Sequence, residues 1–361
     1  MRAAIFRQGN IVVDELPEPR PGRGQVLART LACGICGTDL HARLHAPRMV
    51  EMSRYVPWRQ PMDLTRDVVF GHEFCCEILE LGPGCRGRFN PGTRVVSVPR
   101  LIVDGRMEGI GYSNSNVGAY AERMLLSEDL LIEVPPHVSS ELASLTEPLS
   151  IGIHAVEKAA LAGDEVPLVI GCGPIGLAVI AALSQRGIGP IIAADYSAGR
   201  RALARRIGAD VVVDPAQTSP YKTWDEHAAL SPEAIALRPT TLNPAVPRKP
   251  AVIFECVGVP GVIQSVIEGA PQAARVVVVG VCMETDRQEP MFACFKELSM
   301  QYVLGCTPDE FASSLDMIAG GRIDAGALIT GKVGLDGVAG AFDELASPQR
   351  HTKIVIEPWR V

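Results

Sequence analysis

The sequence has no excess of positive charge and no secretory-type opening segment. Its 34 lysines and arginines are outnumbered by 41 aspartates and glutamates, and the net charge of -7 argues against a nucleic-acid partner or an anionic membrane surface. No charged segment followed by an apolar run opens the chain, and the 10 cysteines are scattered, so we expect neither secretion nor a disulfide framework. These absences favour small-molecule ligands and a reducing cytoplasm.

The sequence also lacks a clear membrane segment. Residues 166–183 carry no charged side chain and have about the length that spans a bilayer. However, this stretch contains three glycines in dinucleotide-binding spacing and two prolines, and it belongs to a long α/β pattern. We therefore expect no membrane partner.

Chain length and hydrophobic patterning predict two domains in an α/β protein. A chain of 361 residues exceeds the size, about 250–300 residues, at which single cores stop growing. The first part is β-rich, with short apolar runs separated by proline and glycine at residues 3–6, 25–30 and 94–98. From about Ile153, strands alternate with helices, and the buried-type strands are 166–170, 191–194, 210–213, 252–256 and 275–280. This second part predicts a doubly wound parallel sheet.

A glycine-rich turn follows the first strand of that sheet. Gly171 allows a tight turn, Gly173 lets backbone amides approach a pyrophosphate, and Gly176 lets the next helix pack closely on the strand. Pro174 and Ile175 lie within the same turn. The pattern predicts a dinucleotide site.

Asp195, at the end of the second predicted strand, indicates which dinucleotide is bound. It lies 19 residues after Gly176, where a carboxylate accepts hydrogen bonds from the adenosine ribose and repels a 2′-phosphate, so NAD is favoured. Arg200 keeps NADP as an alternative, because an arginine just beyond the acid can pair with a phosphate. Val257 and Val279, near the ends of later strands, are further candidates for cofactor contacts.

Two short motifs supply the residue types of a metal site. Cys36 begins the motif Cys-Gly-Thr-Asp-Leu-His, and His72 precedes Glu73 in the motif Gly-His-Glu. A thiolate, an imidazole and nearby carboxylates are the ligands that zinc takes when one position stays open for substrate. Simpler explanations are that Cys33 and Cys36 form a redox pair or half of a structural zinc site, and that His72 is a buried core histidine.

With these motifs in this order, the sequence resembles the zinc-dependent medium-chain dehydrogenases, and among them the sorbitol, threonine and butanediol dehydrogenase branch. The resemblance runs from the opening Met-Arg-Ala-Ala to the Lys-Ile-Val-Ile-Glu-Pro of residues 353–358. It implies a GroES-like β-rich catalytic domain formed by residues 1–152 and 306–361. A doubly wound, parallel-sheet Rossmann domain is expected between them, at residues 153–305.

The resemblance also implies roles for individual residues. Glu73 is expected to bind zinc directly or to lie just behind the ligands, and Asp39 to orient the zinc-bound histidine. Thr38 and His41 resemble a relay that carries the proton of the alcohol towards solvent. The expected metal ligands are Cys36, His72, Glu73 and Glu147, and the expected catalytic residues are Thr38, His41 and Glu73.

The activity that this resemblance implies is a zinc-dependent hydride transfer. The substrate is expected to be a secondary alcohol, a polyol or an amino alcohol, or the matching ketone or aldehyde, with NAD as cofactor. The alternatives are a zinc-free enoyl or quinone reductase on the same fold and a non-catalytic sensor that binds NAD and zinc. Relatives are usually dimers or tetramers, and the apolar residues 276–279 suggest a strand near such an interface.

Three departures from the family pattern produce further expectations. No cysteine occurs between Cys85 and Cys172, where many relatives hold a second, structural zinc, so we expect one zinc per chain. An extra segment, predicted as a loop at residues 42–70, either covers the substrate pocket or is a surface insertion; it contains Met49, Met52, Tyr55 and Trp58. Residues 215–250 include seven prolines, which predicts an irregular connection with a short helical piece near 231–237, serving as an interface or a lid.

Overall fold

The computed structural model describes residues 1–56, 60–236, 247–347 and 350–360. They form two compact units, one made of Met1–Ser150 with Thr307–Val361 and the other of Ile151–Cys306. The strands are β1 (Arg2–Arg7), β2 (Asn10–Glu15), β3 (Gln25–Gly34), β4 (Glu73–Leu81), β5 (Arg94–Ser97), β6 (Arg100–Val103), β7 (Arg106–Gly109), β8 (Arg123–Ser127), β9 (Leu131–Glu133), β10 (Val166–Ile170), β11 (Ile192–Ala194), β12 (Val211–Val213), β13 (Ala251–Glu255), β14 (Arg275–Val278), β15 (Ser299–Tyr302), β16 (Ile329–Val333) and β17 (Lys353–Ile356).

The helices vary in length from single turns to four turns. They are α1 (Gly37–Met52), α2 (Ser140–Ala143), α3 (Thr146–Lys158), α4 (Pro174–Gln185), α5 (Ala198–Ile207), α6 (Pro220–His227), α7 (Pro232–Ala236), α8 (Val262–Gly269), α9 (Pro290–Phe295), α10 (Pro308–Ala319) and α11 (Val338–Leu345). Short 3-10 turns occur at Glu128–Leu130, Ala325–Leu328 and Leu335–Gly337. No helix among the described residues is long and apolar enough to cross a membrane.

The first unit is built on a seven-stranded sheet in which β3 has three partners. The strand order is β16-β17-β3-β4-β5-β9, with β8 also paired to β3. In the antiparallel ladder of β3 and β4, Gly34 pairs with Glu73, and in that of β3 and β17, Gly34 pairs with Val355. Three segments far apart in sequence therefore meet at the carboxyl end of β3.

The second unit is a six-stranded parallel sheet with the order β12-β11-β10-β13-β14-β15. Its strands bury a shared core that includes Val166, Leu168, Ile192, Ile253 and Val276. Helix α4 is enclosed, because every residue from Gly176 to Leu183 is buried. The charge-free stretch at 166–183 is thus β10 followed by α4, and the predicted α/β class with a doubly wound sheet is confirmed. The sequence pattern missed the sixth strand, β15.

Two predicted irregular segments differ in the structure. The loop expected at 42–70 is helical as far as Met52, since α1 continues through a kink at His45 (φ -123°, ψ 29°). Pro47 accounts for the kink, because its backbone nitrogen has no hydrogen to donate and its ring clashes with the preceding turn of the helix. Trp58, named in that loop, lies outside the described residues. In the proline-rich connection, the sequence pattern did not predict helix α6. This helix starts at Pro220, and proline is tolerated in the first turn of a helix. Residues 237–246 of the connection lie outside the described residues.

Candidate metal and cofactor sites

Cys36 lies at the N-terminal cap of α1, just beyond the end of β3. Its Sγ accepts a hydrogen bond from the Thr38 backbone nitrogen at 3.4 Å, and its own backbone nitrogen donates to Asp39 Oδ2 at 3.0 Å. These two bonds satisfy amides that the first turn of a helix leaves without partners. The thiol is thereby fixed just beyond the carboxyl end of β3.

His72 immediately precedes β4 and lies at the same end of the sheet. Gly71 before it has φ +103°, and a Cβ on Gly71 would lie 2.6 Å from the Tyr120 ring, so only glycine permits this turn. The Gly34–Glu73 pairing places the start of β4 beside the end of β3. One ligand atom from each of Cys36, His72 and Glu73 lies within 4.8 Å of the others. The structure thus brings three of the four predicted metal ligands together.

Glu147 is not one of that group of three. It is the second residue of α3, and burial raises the pKa of its carboxyl to about 7. The charge of His72 opposes this rise, whereas the charge of Glu73 adds to it. Glu147 therefore lies within electrostatic range of the cluster.

Asp39 receives hydrogen bonds on both carboxylate oxygens. The Tyr112 hydroxyl donates to Oδ1 at 2.6 Å, and the Tyr120 hydroxyl donates to Oδ2 at 2.7 Å. Asp39 Oδ1 is also 3.5 Å from His72 Nδ1. Burial alone raises the pKa of Asp39, but the charge of His72 and the hydrogen bonds outweigh it and lower that pKa. Burial lowers the pKa of His72, but the charges of Asp39 and Cys36 outweigh it and raise that pKa well above its usual value.

Lys353, which the sequence reasoning missed, forms a buried ion pair with Glu73. Its Nζ donates to Glu73 Oε1 at 2.7 Å and Oε2 at 2.6 Å, and to the Ile35 carbonyl at 3.0 Å. Both side chains are almost fully buried. Burial lowers the pKa of Lys353, but the charge of Glu73 outweighs it and raises that pKa. One lysine at the start of the apolar strand Lys-Ile-Val-Ile was the only signal available.

Thr38 and His41 both lie on α1, after Cys36. Thr38 contacts Cys36 through its backbone nitrogen, and the ring of His41 stacks on that of His45 with centroids 6.3 Å apart. His41 is not one of the three residues that converge at the candidate metal centre among the described residues. Thr38 and His41 follow the cluster member Cys36 closely in the chain, by two and five positions.

The dinucleotide motif adopts the geometry that its glycines require. Gly171 has φ +90°, and a Cβ on Gly176 would lie 1.8 Å from the Gly171 carbonyl oxygen. Gly173 caps α4, Pro174 is the first residue of that helix, and Ile175 follows it. The helix therefore starts directly against the end of β10, with its first amides available to an anion.

Of the remaining predicted cofactor residues, Asp195, Arg200 and Val257 lie close to this turn. Asp195 accepts hydrogen bonds from the backbone nitrogens of Cys172 at 2.8 Å and Ser197 at 2.7 Å. Arg200 Nη1 lies 3.9 Å from Asp195 Oδ2. The Val257 side chain lies against Gly171, since a Cβ there would be 2.6 Å from Val257 Cγ2. The Val279 backbone nitrogen donates to the Glu255 carbonyl at 2.8 Å.

Comparison with known proteins places this arrangement in a family. Residues 22–136 match the alcohol dehydrogenase GroES-like domain, and residues 174–320 match the zinc-binding dehydrogenase domain. In an alignment of 371 positions, the chain is 30% identical to (R,R)-butanediol dehydrogenase of Bacillus subtilis, and the alignment covers 99% of this chain and 100% of that protein. This chain belongs to the zinc-binding alcohol dehydrogenase family. This dehydrogenase is also 25% identical to sorbitol dehydrogenase of Bacillus subtilis, over 100% of this chain and 98% of that protein.

Solved structures agree with this assignment. The crystal structure of 2R,3R-butanediol dehydrogenase from Bacillus subtilis matches this dehydrogenase with a TM-score of 0.79 and 28% identity, covering 99% of both chains. A zinc-binding dehydrogenase from Sinorhizobium meliloti bound to NADP matches with a TM-score of 0.77 and 26% identity, again over 99% of both chains. The fold is therefore a GroES-like domain with a Rossmann domain.

As a member of this family, the dehydrogenase is a zinc-dependent oxidoreductase that uses a nicotinamide cofactor. Its donor set fits zinc, because a thiol, an imidazole and a carboxylate converge within 4.8 Å. In addition, Asp39 Oδ1 lies 3.5 Å from buried His72 Nδ1, close enough to orient the ring. Neither the zinc-free reductase nor the non-catalytic sensor is favoured by any of these observations.

Proposed function

We propose that this dehydrogenase oxidises a vicinal diol or a related polyol or amino alcohol with NAD, using one zinc ion per chain. The observation that carries the proposal is the convergence of Cys36, His72 and Glu73 beside a buried Asp39. The named relatives act on butanediol and sorbitol, which are both polyols with secondary hydroxyl groups.

Cys36, His72 and Glu147 are the proposed zinc ligands. Glu73 belongs to the same cluster, but both of its oxygens accept hydrogen bonds from Lys353 Nζ. We therefore assign Glu73 the role of a buried negative charge just behind the ligands, held in place by Lys353. A bound zinc ion acts as a Lewis acid that lowers the pKa of a coordinated alcohol.

Thr38 and His41 are the proposed proton relay. Thr38 is in the first turn of α1, and His41 is one turn further along, stacked on His45. An imidazole suits this role, because its ordinary pKa of about 6.5 lets it accept and release a proton near neutral pH.

NAD rather than NADP is the proposed cofactor, because of Asp195. Its carboxylate is fixed at the end of β11 by two backbone amides, next to the glycine turn. A fixed negative charge there repels a 2′-phosphate and accepts ribose hydroxyl groups. Arg200 is close to that carboxylate and, in this proposal, offsets its charge rather than binding a phosphate.

A homodimer that meets at β15 is the proposed assembly. Among the described residues, β15 pairs only with β14, so its outer edge has no partner strand. The Ser299 and Val303 backbone nitrogens donate towards β14, and alternation along the strand directs the backbone groups of Tyr302 outwards. Tyr302 and Leu304 are 57% and 64% exposed. A two-fold axis beside this edge lets two identical strands pair and cover both side chains.

A reducing cytoplasm is the proposed location, and it is supported by the thiols. All ten cysteines are free, and five of them are buried. Neighbouring thiols such as Cys75 and Cys76 are compatible with a reducing compartment.

The decisive experiment measures NADH absorbance after the purified protein is mixed with NAD and a panel of alcohols. The panel contains vicinal diols, polyols, simple secondary alcohols and threonine-like amino alcohols, with NADP run in parallel. We expect absorbance to rise with one hydroxyl class and to stop after treatment with a zinc chelator. Silence across the panel in a zinc-loaded sample that binds NAD, or activity that survives the chelator, contradicts the proposal.

A further inference from the structure

Tyr112 contacts the candidate metal centre but has no role in the function described so far. It follows the β6–β7 hairpin, in the part of the chain between Cys85 and Cys172 that contains no cysteine. The loop is anchored there, because the Gly118 backbone nitrogen donates to Val69 at 3.1 Å and that of Ile110 donates to Pro99 at 3.2 Å. Gly111 has φ +90°, and a Cβ on it would lie 3.1 Å from the Gly71 carbonyl oxygen. The loop that carries Tyr112 is therefore packed against the turn that presents His72.

The Tyr112 hydroxyl and His72 approach the same atom. The hydroxyl donates to Asp39 Oδ1 at 2.6 Å, a short distance typical of a hydrogen bond to a carboxylate. His72 Nδ1 is 3.5 Å from that oxygen, beyond the usual N–H···O range of about 2.7–3.2 Å. The Tyr112 ring also packs on His72, with centroids 5.4 Å apart. Asp39 Oδ1 is thus held by Tyr112 more closely than by His72.

We propose that Tyr112 is a positioning residue that weakens the hold of His72 on the metal by occupying Asp39 Oδ1. A carboxylate that accepts the second ring N–H of a metal-bound histidine fixes the ring and increases its strength as a ligand. A hydroxyl bonded to the same oxygen withdraws part of that negative charge. His72 would then donate less electron density to a zinc ion held there, which would leave that ion a stronger Lewis acid towards a substrate hydroxyl group.

Tyr120 provides an internal comparison, because it makes a similar bond to the other oxygen. Its hydroxyl donates to Asp39 Oδ2 at 2.7 Å, and that oxygen also accepts the Cys36 backbone nitrogen. Removing the Tyr120 hydroxyl leaves Asp39 Oδ1 with the same two neighbours, the Tyr112 hydroxyl and His72 Nδ1. The two tyrosines therefore separate an effect at Oδ1 from a general effect on the charge of Asp39.

The test compares zinc binding by the full-length wild type, Tyr112→Phe and Tyr120→Phe, using chelator competition. Tyr112→Phe keeps the ring on His72 and frees Oδ1, so we expect its zinc dissociation constant to fall about tenfold, the lower end of effects at such outer contacts. Tyr120→Phe is expected to change the constant less than about twofold. The visible spectrum of the cobalt-substituted protein is expected to shift in Tyr112→Phe only.

Two further variants fix the sign and the route of the effect. Fluorotyrosine at position 112 is a stronger donor of nearly the same shape, so it is expected to weaken zinc binding. In an Asp39→Asn background, Tyr112→Phe is expected to have no effect, because the shared carboxylate is gone. Persistence of the effect in that background means that Tyr112 acts through ring packing, and the proposal is wrong.

Failure of this inference is distinct from failure of the proposed zinc-dependent function on which it rests. A wild type that binds no zinc contradicts the proposed function. A zinc-binding wild type whose dissociation constant is unchanged or higher in Tyr112→Phe contradicts only the role of Tyr112. An equal change in Tyr120→Phe also contradicts it.

Discussion

Asp39 connects the largest number of groups at the candidate metal centre. One carboxylate of this helix-capping residue lies beside His72 and accepts bonds from the hydroxyls of Tyr112 and Tyr120 and from the Cys36 backbone nitrogen. Buried polar networks of this kind are costly when any member is unsatisfied. Single substitutions in this network should therefore be detectable first as changes in metal binding.

Cys36→Ser tests the thiol ligand. A hydroxyl is a poorer zinc ligand than a thiolate, so we expect the variant to lose most bound zinc and turnover while it keeps NAD binding. Cys33→Ser is the matched control: its thiol is bonded to the Gly34 carbonyl oxygen at 3.5 Å, and we expect zinc to be retained. Zinc content by elemental analysis and NAD titration measure the two properties. Equal loss of zinc in both variants would favour a paired-cysteine site instead.

Glu147 makes the stability of the metal-free protein depend on pH. Burial raises the pKa of its carboxyl from 4.5 to about 7, so between these values the folded state binds more protons than the unfolded state. The free energy of unfolding therefore contains a part that is present below pH 4.5 and is lost as the pH rises to about 7. Glu147→Gln is expected to remove this part. Urea unfolding of both metal-free proteins across that window measures it, and identical pH slopes would refute it.

Asp195→Ala tests the cofactor preference. Loss of its charged hydrogen bonds to the ribose, each worth about 1.5 kcal/mol or more, should lower the preference for NAD over NADP at least about tenfold. Asp214→Ala, at the end of the neighbouring strand and paired with Arg201 at 3.0 Å, is the control and should keep the preference. The ratio of kcat/KM for the two cofactors is the measurement. An unchanged ratio in Asp195→Ala would remove the ribose assignment.

At the scale of elements, the contact between α4 and β10 depends on the absence of side chains. Gly176→Ala puts a Cβ 1.8 Å from the Gly171 carbonyl oxygen, so α4 must shift away from the end of the strand. Overpacking of this kind costs about 1–3 kcal/mol, and we expect weaker NAD binding as well. Gly340→Ala in α11 is the control, because no atom lies within 4 Å and helix propensity should stabilise the fold by about 1 kcal/mol. Chemical unfolding measures the stability of both variants, and titration with NAD measures their cofactor binding. Unaltered NAD binding in Gly176→Ala would contradict the argument from close packing.

At the scale of the whole molecule, the proposed dimer depends on β15. Tyr302→Lys places a charge on the strand edge, a substitution that opposes edge-to-edge pairing, and should convert the dimer to a monomer. Met107→Lys changes a comparably exposed side chain, 61% against 57%, on β7 and should leave the assembly intact. Sedimentation velocity measures both. A wild type that is monomeric at all concentrations would exclude the dimer, and an unchanged dimer in Tyr302→Lys would place its interface elsewhere.

The sequence by itself determined the features that depend only on residues close together in the chain. Strand β10 was located to the residue, because a buried strand followed by a glycine turn has a pattern that does not depend on distant parts of the chain. The family, the α/β class and the residues of the Cys36 and His72 motifs were recognisable for the same reason. The edge strand β15, Ser-Met-Gln-Tyr, was missed because an edge strand has mostly exposed side chains and no apolar run. Helix α1 was missed, and a loop was predicted at residues 42–70, where Pro47 is of a residue type that commonly ends helices.

Only the tertiary structure decided which residues meet at the metal centre. Lys353 reaches Glu73 across 280 positions of sequence because β17 pairs with β3 and β3 pairs with β4. Tyr112 reaches Asp39 across 73 positions because its loop packs against the turn before His72. Neither contact has a periodic signal, since a hydroxyl or an amine is placed by sheet register and loop packing rather than by its neighbours in sequence.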